Sequence, residues 1–131
     1  MDELKKKGIQ YISNRSVEKR DAVMFDIDDT LIFTSGRLNI PIYELLLEAK
    51  KMGYKIIIIT ARPRFETVID MTRSQLKLYN IVYDYLGFTS AETKGLMKNE
   101  LGYNFILSVG DMETDLTNSQ HKLNTSNFFH S

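Results

Sequence analysis

The chain alternates between short apolar runs and longer segments in which apolar side chains recur every three or four positions. The second run contains four successive isoleucines, Ile56 to Ile59, which place β-branched side chains on both faces of a strand. Such a strand is typical of a parallel sheet that is covered on both sides. The runs predict strands over 22–25, 54–60, 81–86 and 104–109.

Four segments with helical periodicity lie before and between these runs. Asp2 is predicted to cap the first, and Thr89 to Glu92 have the spacing of a capping box at the start of the last. Glycines at 53 and 102 are suited to end the second and fourth helices. The predicted helices are 2–14, with Leu4, Gly8, Tyr11 and Ile12 on one face; 41–52, with Ile42, Leu45, Leu46 and Ala49; a helix from Arg64, with Phe65, Val68, Ile69, Thr72 and Leu76; and 90–101.

Strands that alternate with helices of this length predict βα units joined by right-handed crossovers. We therefore predict an α/β fold, a three-layer α/β/α sandwich with a mainly parallel central sheet, in one domain over 1–131. An N-terminal helix and connection would fill 1–20, a core with the functional motifs 22–115, and a C-terminal segment 116–131. That last segment is polar, and Phe128 and Phe129 could form a short edge strand within it.

Composition narrows the chemistry that the chain can carry. Its 131 residues include 17 basic and 17 acidic ones, so nucleic-acid binding is possible but has no support from net charge. With no cysteine and only His121 and His130, a metal would have to be held by carboxylates, which favours a hard cation such as Mg²⁺. Neither a signal peptide nor a membrane-spanning run is evident, which predicts a cytoplasmic protein without a membrane partner.

Acidic residues follow two of the predicted strands. Asp26, Asp28 and Asp29 come directly after the first strand, and Asp111 and Asp115 come after the fourth. Carboxylates crowded at a strand end repel one another unless a cation or a shared proton intervenes. The alternative is an ordinary surface turn that caps a helix.

Other polar residues fall at the same edge of the predicted sheet. In open α/β sheets, ligands bind beyond the carboxyl ends of the strands. Asp26, Thr60 and Asp111 lie at such ends, and Lys94 lies near the start of the helix that follows the third strand. Carboxylates, a hydroxyl and an ammonium group at one edge would hold Mg²⁺ and a phosphate together.

In its ordered motifs the chain resembles the haloacid dehalogenase superfamily, most of whose members are phosphatases. The sequence of 25–31, 59–62 and 94–115 is most similar to the acid phosphatase branch that includes class B and class C enzymes and vegetative storage proteins. Members that cleave carbon–halogen bonds lack an acid at the second motif position, so Asp28 favours phosphoryl transfer. The matching residues, in chain order, are Asp26, Asp28 and Thr30 for Asp-x-Asp-x-Thr, then Thr60, then Lys94, and finally Gly110, Asp111 and Asp115.

The resemblance implies a phosphomonoester hydrolase with an aspartyl-phosphate intermediate. Asp26 would be the nucleophile and Asp28 the general acid and base, while Thr60 and Lys94 would bind the phosphoryl oxygens. The implied Mg²⁺ ligands are Asp26, the backbone carbonyl of Asp28, and Asp111, with Thr30 and Asp115 as supporting residues. Alternatives remain for three positions: Lys98 for Lys94, Glu113 for Asp115, and a helix cap for Thr60. Arg62 could contact the substrate or form an ion pair.

The spacing between motifs leaves room only for ordinary strands and helices, so we predict no cap domain. An open site suits a phosphorylated substrate that is bulky, or a second subunit that supplies the lid. One alternative is a polynucleotide 3′-phosphatase of the same superfamily, whose basic track would draw on Lys5 to Lys7, Arg62, Arg64 and Lys94. A non-catalytic phosphoacceptor or storage module is another, but receiver modules carry their acids, Thr and Lys in a different order.

Overall fold

A computed structural model describes residues 1–126. Its centre is one parallel sheet of five strands in the order β3-β2-β1-β4-β5. The strands are β1 (Asp21–Phe25), β2 (Lys55–Thr60), β3 (Tyr85–Phe88), β4 (Asn104–Gly110) and β5 (His121–Asn124). The helices are α1 (Asp2–Ile12), α2 (Ile40–Lys51), α3 (Glu66–Leu78), α4 (Lys94–Leu101) and α5 (Glu113–Leu116), with a 3₁₀ turn at Ala91–Thr93.

Two apolar layers enclose the sheet. On one face, Val23 and Phe25 of β1 and Ile56 and Ile58 of β2 pack in a large core to which α1, α2 and α3 contribute. The opposite-facing side chains of the same strands pack against α4 in a smaller cluster. The alternation along β1 and β2 thus fills both layers, and the predicted three-layer α/β/α sandwich is confirmed.

The order of the strands creates the cleft in which ligands bind in such sheets. From β1 the chain moves outward to β2 and β3, and it then returns past β1 to form β4 and β5. The direction reverses between β1 and β4, which is the topological switch point of the sheet. Asp26 directly follows β1 and Asp111 directly follows β4, so both lie at this point.

Strand β4 contains one extra residue relative to β1. Ala22 pairs with Phe105, but Val23 pairs with Leu107, which leaves Ile106 as a bulge. Phe105 therefore belongs to the smaller cluster, whereas Leu107 and Val109 face the larger core. Ser108 faces the α4 side, where the Lys98 Nζ contacts its Oγ at 2.9 Å.

Two strands differ from the prediction. Strand β3 begins at Tyr85 instead of 81, because Asp84 ends the preceding loop. The Asp84 Oδ2 accepts from the Ile56 N–H at 2.8 Å, and the Asp84 N–H donates to the Ile56 carbonyl. Strand β5 was not predicted within the C-terminal segment, since only Leu123 of its four side chains is buried and no alternation shows. The predicted strand at Phe128 and Phe129 lies outside the described residues.

Helix starts also differ from the prediction. Asp2 lies in the first turn of α1, and Met1 takes the capping position. Phe65 precedes α3 and is exposed, so it does not belong to the buried face of that helix. The predicted capping box of Thr89 and Glu92 does not form; instead, Ser90 precedes the turn, and the Thr93 hydroxyl bonds those of Thr89 and Ser90 at 2.5 and 2.7 Å. The 3₁₀ turn that results makes Lys94 the first residue of α4.

The segments between the motifs contain no additional domain within residues 1–126. A loop with isolated bridges from Ile32 to Asp28 and Leu38, followed by α2, connects β1 to β2. Helix α3 alone connects β2 to β3. The carboxyl edge of the sheet is therefore not covered by an inserted cap. None of the helices in the described part of the chain is long and apolar enough to cross a membrane.

Candidate active site

Asp26 occupies the centre of the site. Its N–H donates to the Val109 carbonyl at 3.0 Å, which holds the residue beside β4 after β1 has ended. Its carboxyl group is only 8% exposed; Oδ1 accepts from Lys94 Nζ at 2.9 Å, and Oδ2 has a long contact of 3.4 Å with the Thr30 hydroxyl. The structure thus brings Asp26 and Thr30, from the loop after β1, together with Lys94 at the start of α4.

Two further acids complete a carboxylate cluster at the switch point. Oxygen atoms of Asp26, Asp111 and Asp115 lie within 4.8 Å of one another. Burial raises the pKa of Asp26 well above its ordinary value; Lys94 opposes this shift and Asp115 adds to it. Burial also raises the pKa of Asp111. A divalent cation would relieve this repulsion, and an all-oxygen donor set suits Mg²⁺.

Lys94 is held between two carboxylates. Its Nζ donates to Asp26 Oδ1 and, at 2.5 Å, to Asp115 Oδ1. Burial would lower the pKa of Lys94, but the two acids outweigh it and the pKa is raised, so the ammonium stays charged. Of the alternatives weighed in the sequence, the structure places Asp115 against Lys94, and its other oxygen accepts from the Met112 N–H at 3.0 Å. An ammonium group has three donors, and residues 1–126 accept from two of them here, which leaves one for a ligand.

Position 110 has room only for a glycine, because the side chain of Asp115 lies directly beside it. A side chain built at this position would collide with the carboxyl group of Asp115. A larger residue would push Asp115 away from Lys94, which explains why a glycine directly precedes Asp111 at the end of β4.

Thr60 and Asp28 stand on the β2 side of the cluster. Thr60 is fully buried, and its Oγ1 accepts from the Arg62 N–H at 3.1 Å, an arrangement that still leaves the hydroxyl proton to donate. Asp28 is not part of the carboxylate cluster: its side chain is 54% exposed and forms a two-point ion pair with Arg62, at 2.8 and 3.0 Å. Thr72 and Gln75 of α3 fix the same guanidinium. Of the alternatives for Arg62, the structure shows the ion pair.

The remaining acids of the two loops lie apart from the cluster. Asp29 has a left-handed backbone, with φ of 58°, and its carboxylate accepts from Thr34. Glu113 is an exposed residue in the first turn of α5 and takes no part in the cluster. His121 stacks on Tyr11 at 4.3 Å, away from these residues, and His130 lies outside the described part of the chain.

Lys98 is a buried cation that the sequence offered only as an alternative to Lys94. It lies one turn later on the same face of α4 and is 1% exposed. Its Nζ donates to the carbonyls of Asp115 and Thr117, both at 2.6 Å, and thereby anchors the loop that follows the second group of acids. The spacing of four residues from Lys94 was the signal available in the sequence.

The lowered pKa of Lys98 predicts a measurable pH dependence of stability. Burial lowers the pKa to about 7, whereas the unfolded chain has the ordinary value of 10.5. Between these values the unfolded state binds more protons, so the free energy of unfolding should rise with pH, by up to about 1.4 kcal/mol per pH unit. Urea unfolding of the wild type and Lys98→Met between pH 7 and 9 checks this. The difference between the two proteins should grow with pH; parallel curves would contradict the prediction.

Comparison with known proteins identifies the family. The model of the haloacid dehalogenase-like hydrolases matches residues 23–101. A chain of the Pnkp1/Rnl/Hen1 complex is similar in structure, with a TM-score of 0.61 and 26% identity over 79% of this chain and 43% of that one. A chain of the Pnkp1/Rnl/Hen1 RNA repair complex has a TM-score of 0.58 and 26% identity over 78% of this chain and 40% of that one.

A third structure shares the fold alone. The class C acid phosphatase from Bacillus anthracis has a TM-score of 0.66 at 16% identity, over 89% of this chain and 65% of that one. This chain therefore spans less than half of each Pnkp1/Rnl/Hen1 chain and about two thirds of the phosphatase. No curated protein sequence matches it. On the family match, which covers more than half of its length, the chain belongs to the haloacid dehalogenase-like hydrolases.

Proposed function

We propose that the chain is a Mg²⁺-dependent phosphomonoesterase that works through an aspartyl phosphate on Asp26. One observation carries this proposal: buried Lys94 donates to both Asp26 and Asp115, beside Asp111 at the switch point of the sheet. A structural ion pair needs no third and fourth charge, whereas a phosphoryl-transfer site needs a nucleophile, a cation for the phosphate and acids for a metal.

The carboxylate cluster fits a magnesium site. Asp26 and Asp111 would supply carboxylate oxygens, and the backbone carbonyl of Asp28 would supply a third ligand. The raised pKa values of Asp26 and Asp111 are a further argument, because these acids gain most from a neighbouring cation. When bound, the metal supplies positive charge that offsets the repulsion between Asp26 and a dianionic substrate.

The chemistry proceeds in two displacements. A carboxylate oxygen of Asp26 attacks phosphorus while the ester P–O bond breaks, and Asp28 gives its proton to the leaving oxygen. Asp28 then takes a proton from a water molecule whose oxygen attacks phosphorus, and the bond between phosphorus and Asp26 breaks to release inorganic phosphate. The free donor of Lys94 and the hydroxyl of Thr60 bind the phosphoryl oxygens as their charge redistributes.

The ion pair with Arg62 defines where Asp28 acts. Asp28 lies on the exposed side of the cluster, with its carboxylate fixed by a guanidinium that α3 holds in place. Both oxygens of Asp28 accept from Arg62, so in the acid step Asp28 must first leave Arg62 and take up a proton, and it then reaches the leaving oxygen from this side. We propose that Thr30, through its contact with Asp26, keeps the nucleophile in position, and that the site opens to solvent within a single domain.

A polynucleotide 3′-phosphatase is the second candidate function. One observation favours it: the two structures at 26% identity are chains of the Pnkp1/Rnl/Hen1 complex, one of them described as an RNA repair complex. The even balance of 17 basic and 17 acidic residues does not add to this argument. For the phosphomonoesterase, we propose the acid phosphatase branch as the placement within the superfamily, on the sequence of 25–31, 59–62 and 94–115.

Hydrolysis of an aryl phosphate with and without Mg²⁺ tests the proposed function. We expect turnover that depends on Mg²⁺ and disappears with a chelator. A panel of sugar, nucleotide and protein phosphates, together with oligonucleotides that carry a 3′-phosphate, separates the two candidates. If the purified protein shows no metal-dependent release of phosphate from any member of the panel, the proposal that the chain is a phosphatase is refuted.

A further inference from the structure

A cavity of about 360 Å³ opens at the carboxyl edge of the sheet beside the proposed active site. Its walls are the loop 61–64, which follows β2, and residues 88–90, which end β3 and lead into the 3₁₀ turn. The Thr89 N–H donates to the Thr60 carbonyl at 3.0 Å, so the cavity adjoins the residue proposed to bind the phosphoryl group. Its volume is within the range of small-molecule sites.

The direction of the reaction points to this cavity. The phosphoryl group is bounded by Asp26 and Lys94, which are buried, so the rest of the substrate must extend outward. The leaving oxygen must face Asp28, because that residue gives it a proton. Asp28 is paired with Arg62, and Arg62 lines both this cavity and a second one along α3. Of the two, this cavity is the one beside Thr60, through the bond from the Thr89 N–H. The leaving group should therefore lie against the loop 61–64.

The walls combine apolar surface with one unpaired cation. Ala61, Pro63 and Phe88 supply the apolar part. The charge of Arg62 is already balanced by Asp28, but Arg64 is exposed and makes no ion pair or side-chain hydrogen bond with any residue of 1–126. A cation at the wall of a cavity, without a protein partner, is available for an anionic group of the ligand.

We propose that this cavity binds the leaving group of the substrate and that Arg64 selects leaving groups that carry a second anionic group. The inference rests on the proposed phosphomonoesterase activity and names its substrate class. An apolar ring system with a second phosphate close to the ester that is cleaved fits these walls. Nucleotides with two phosphates on one ribose have this chemistry, either free or at the end of a strand.

The test compares substrates that differ by one anion. Adenosine 3′-phosphate has a single phosphate, adenosine 3′,5′-bisphosphate has a second one, and the 3′-phosphorylated dinucleotide of adenosine has a diester anion instead. For each, kcat/KM is measured with Mg²⁺ for the wild type, Arg64→Gln and Arg73→Gln. Arg73 is the matched control, because it is an exposed arginine that lines a different cavity on α3.

We expect the wild type to prefer the two substrates that carry a second anionic group. The ratio of kcat/KM for either of them to kcat/KM for adenosine 3′-phosphate should fall about tenfold in Arg64→Gln, as for loss of one charged contact. The control should retain the wild-type ratio. A larger preference for the dinucleotide indicates that the substrate is the end of a strand. A larger preference for the bisphosphate indicates that it is a free nucleotide. An unchanged ratio in Arg64→Gln, or no preference in the wild type while an aryl phosphate is hydrolysed, overturns this inference alone. Failure to release phosphate from the aryl phosphate and from every other member of the panel overturns the proposed function, and this inference with it.

Discussion

An Asp26→Asn variant should lose phosphatase activity by a factor of at least about 10³, because a neutral amide cannot attack phosphorus. The substitution keeps the shape of the side chain, which lies buried between Lys94 and Asp111. Steady-state hydrolysis of an aryl phosphate with saturating Mg²⁺ measures the loss. Rapid-quench labelling of the wild type with a phosphorylated substrate should also yield an acid-stable protein phosphate that the variant cannot form.

Asp29→Asn is the matched control for that variant. It removes the same charge from the same loop, and asparagine tolerates the left-handed backbone found at this position. Since the Asp29 carboxylate contacts Thr34 and lies outside the cluster, this variant should turn over at close to the wild-type rate. Near wild-type turnover by Asp26→Asn, or equal losses in the two variants, would contradict the assignment of Asp26 as the nucleophile.

Asp28→Asn should slow turnover about 10²- to 10⁴-fold for alkyl phosphates, which need a proton on the leaving oxygen. For aryl phosphates with acidic leaving groups, the first displacement should be affected far less. The second displacement also loses its base, so the phosphorylated enzyme should accumulate and be seen by intact mass measurement. The exposed position of Asp28 limits any cost in stability.

Binding measurements separate this role from a structural one. Only the backbone carbonyl of Asp28 is proposed to bind Mg²⁺, so the affinity for the metal and for inorganic phosphate should change little in Asp28→Asn. Calorimetric titration with Mg²⁺ and inhibition by phosphate provide both values. A loss of metal affinity equal to the loss of turnover, or a uniform loss across leaving groups, would argue against Asp28 as the general acid and base.

Much of the fold follows from local pattern. Ile56 to Ile59 could only be a strand covered on both faces, and the acids after 22–25 and 104–109 had to meet once those strands were adjacent and parallel. The carboxyl ends of parallel strands share one edge, so the sequence predicted the proximity of Asp26 and Asp111. The order of the strands, which makes β1 and β4 neighbours, was not predicted and comes from the structure.

The parts that the sequence did not specify depend on contacts between distant side chains. The pairing of Asp28 with Arg62 depends on how Thr72 and Gln75 hold the guanidinium, which no local pattern encodes. Lys98 looks like an ordinary helix lysine until the loop after Asp115 covers it. Strand β5 carries so little apolar signal that only its pairing with β4 defines it.

The bulge at Ile106 affects how this chain should be aligned with relatives. Upstream of it, odd-numbered positions of β4 face α4, and downstream of it they face the opposite layer. An alignment to a relative without the bulge therefore needs a one-residue gap inside a strand, where gaps are usually penalised. Without the gap, every position from Leu107 onward would be compared with a residue from the wrong face. Asp111 would then be matched one position away from its true equivalent.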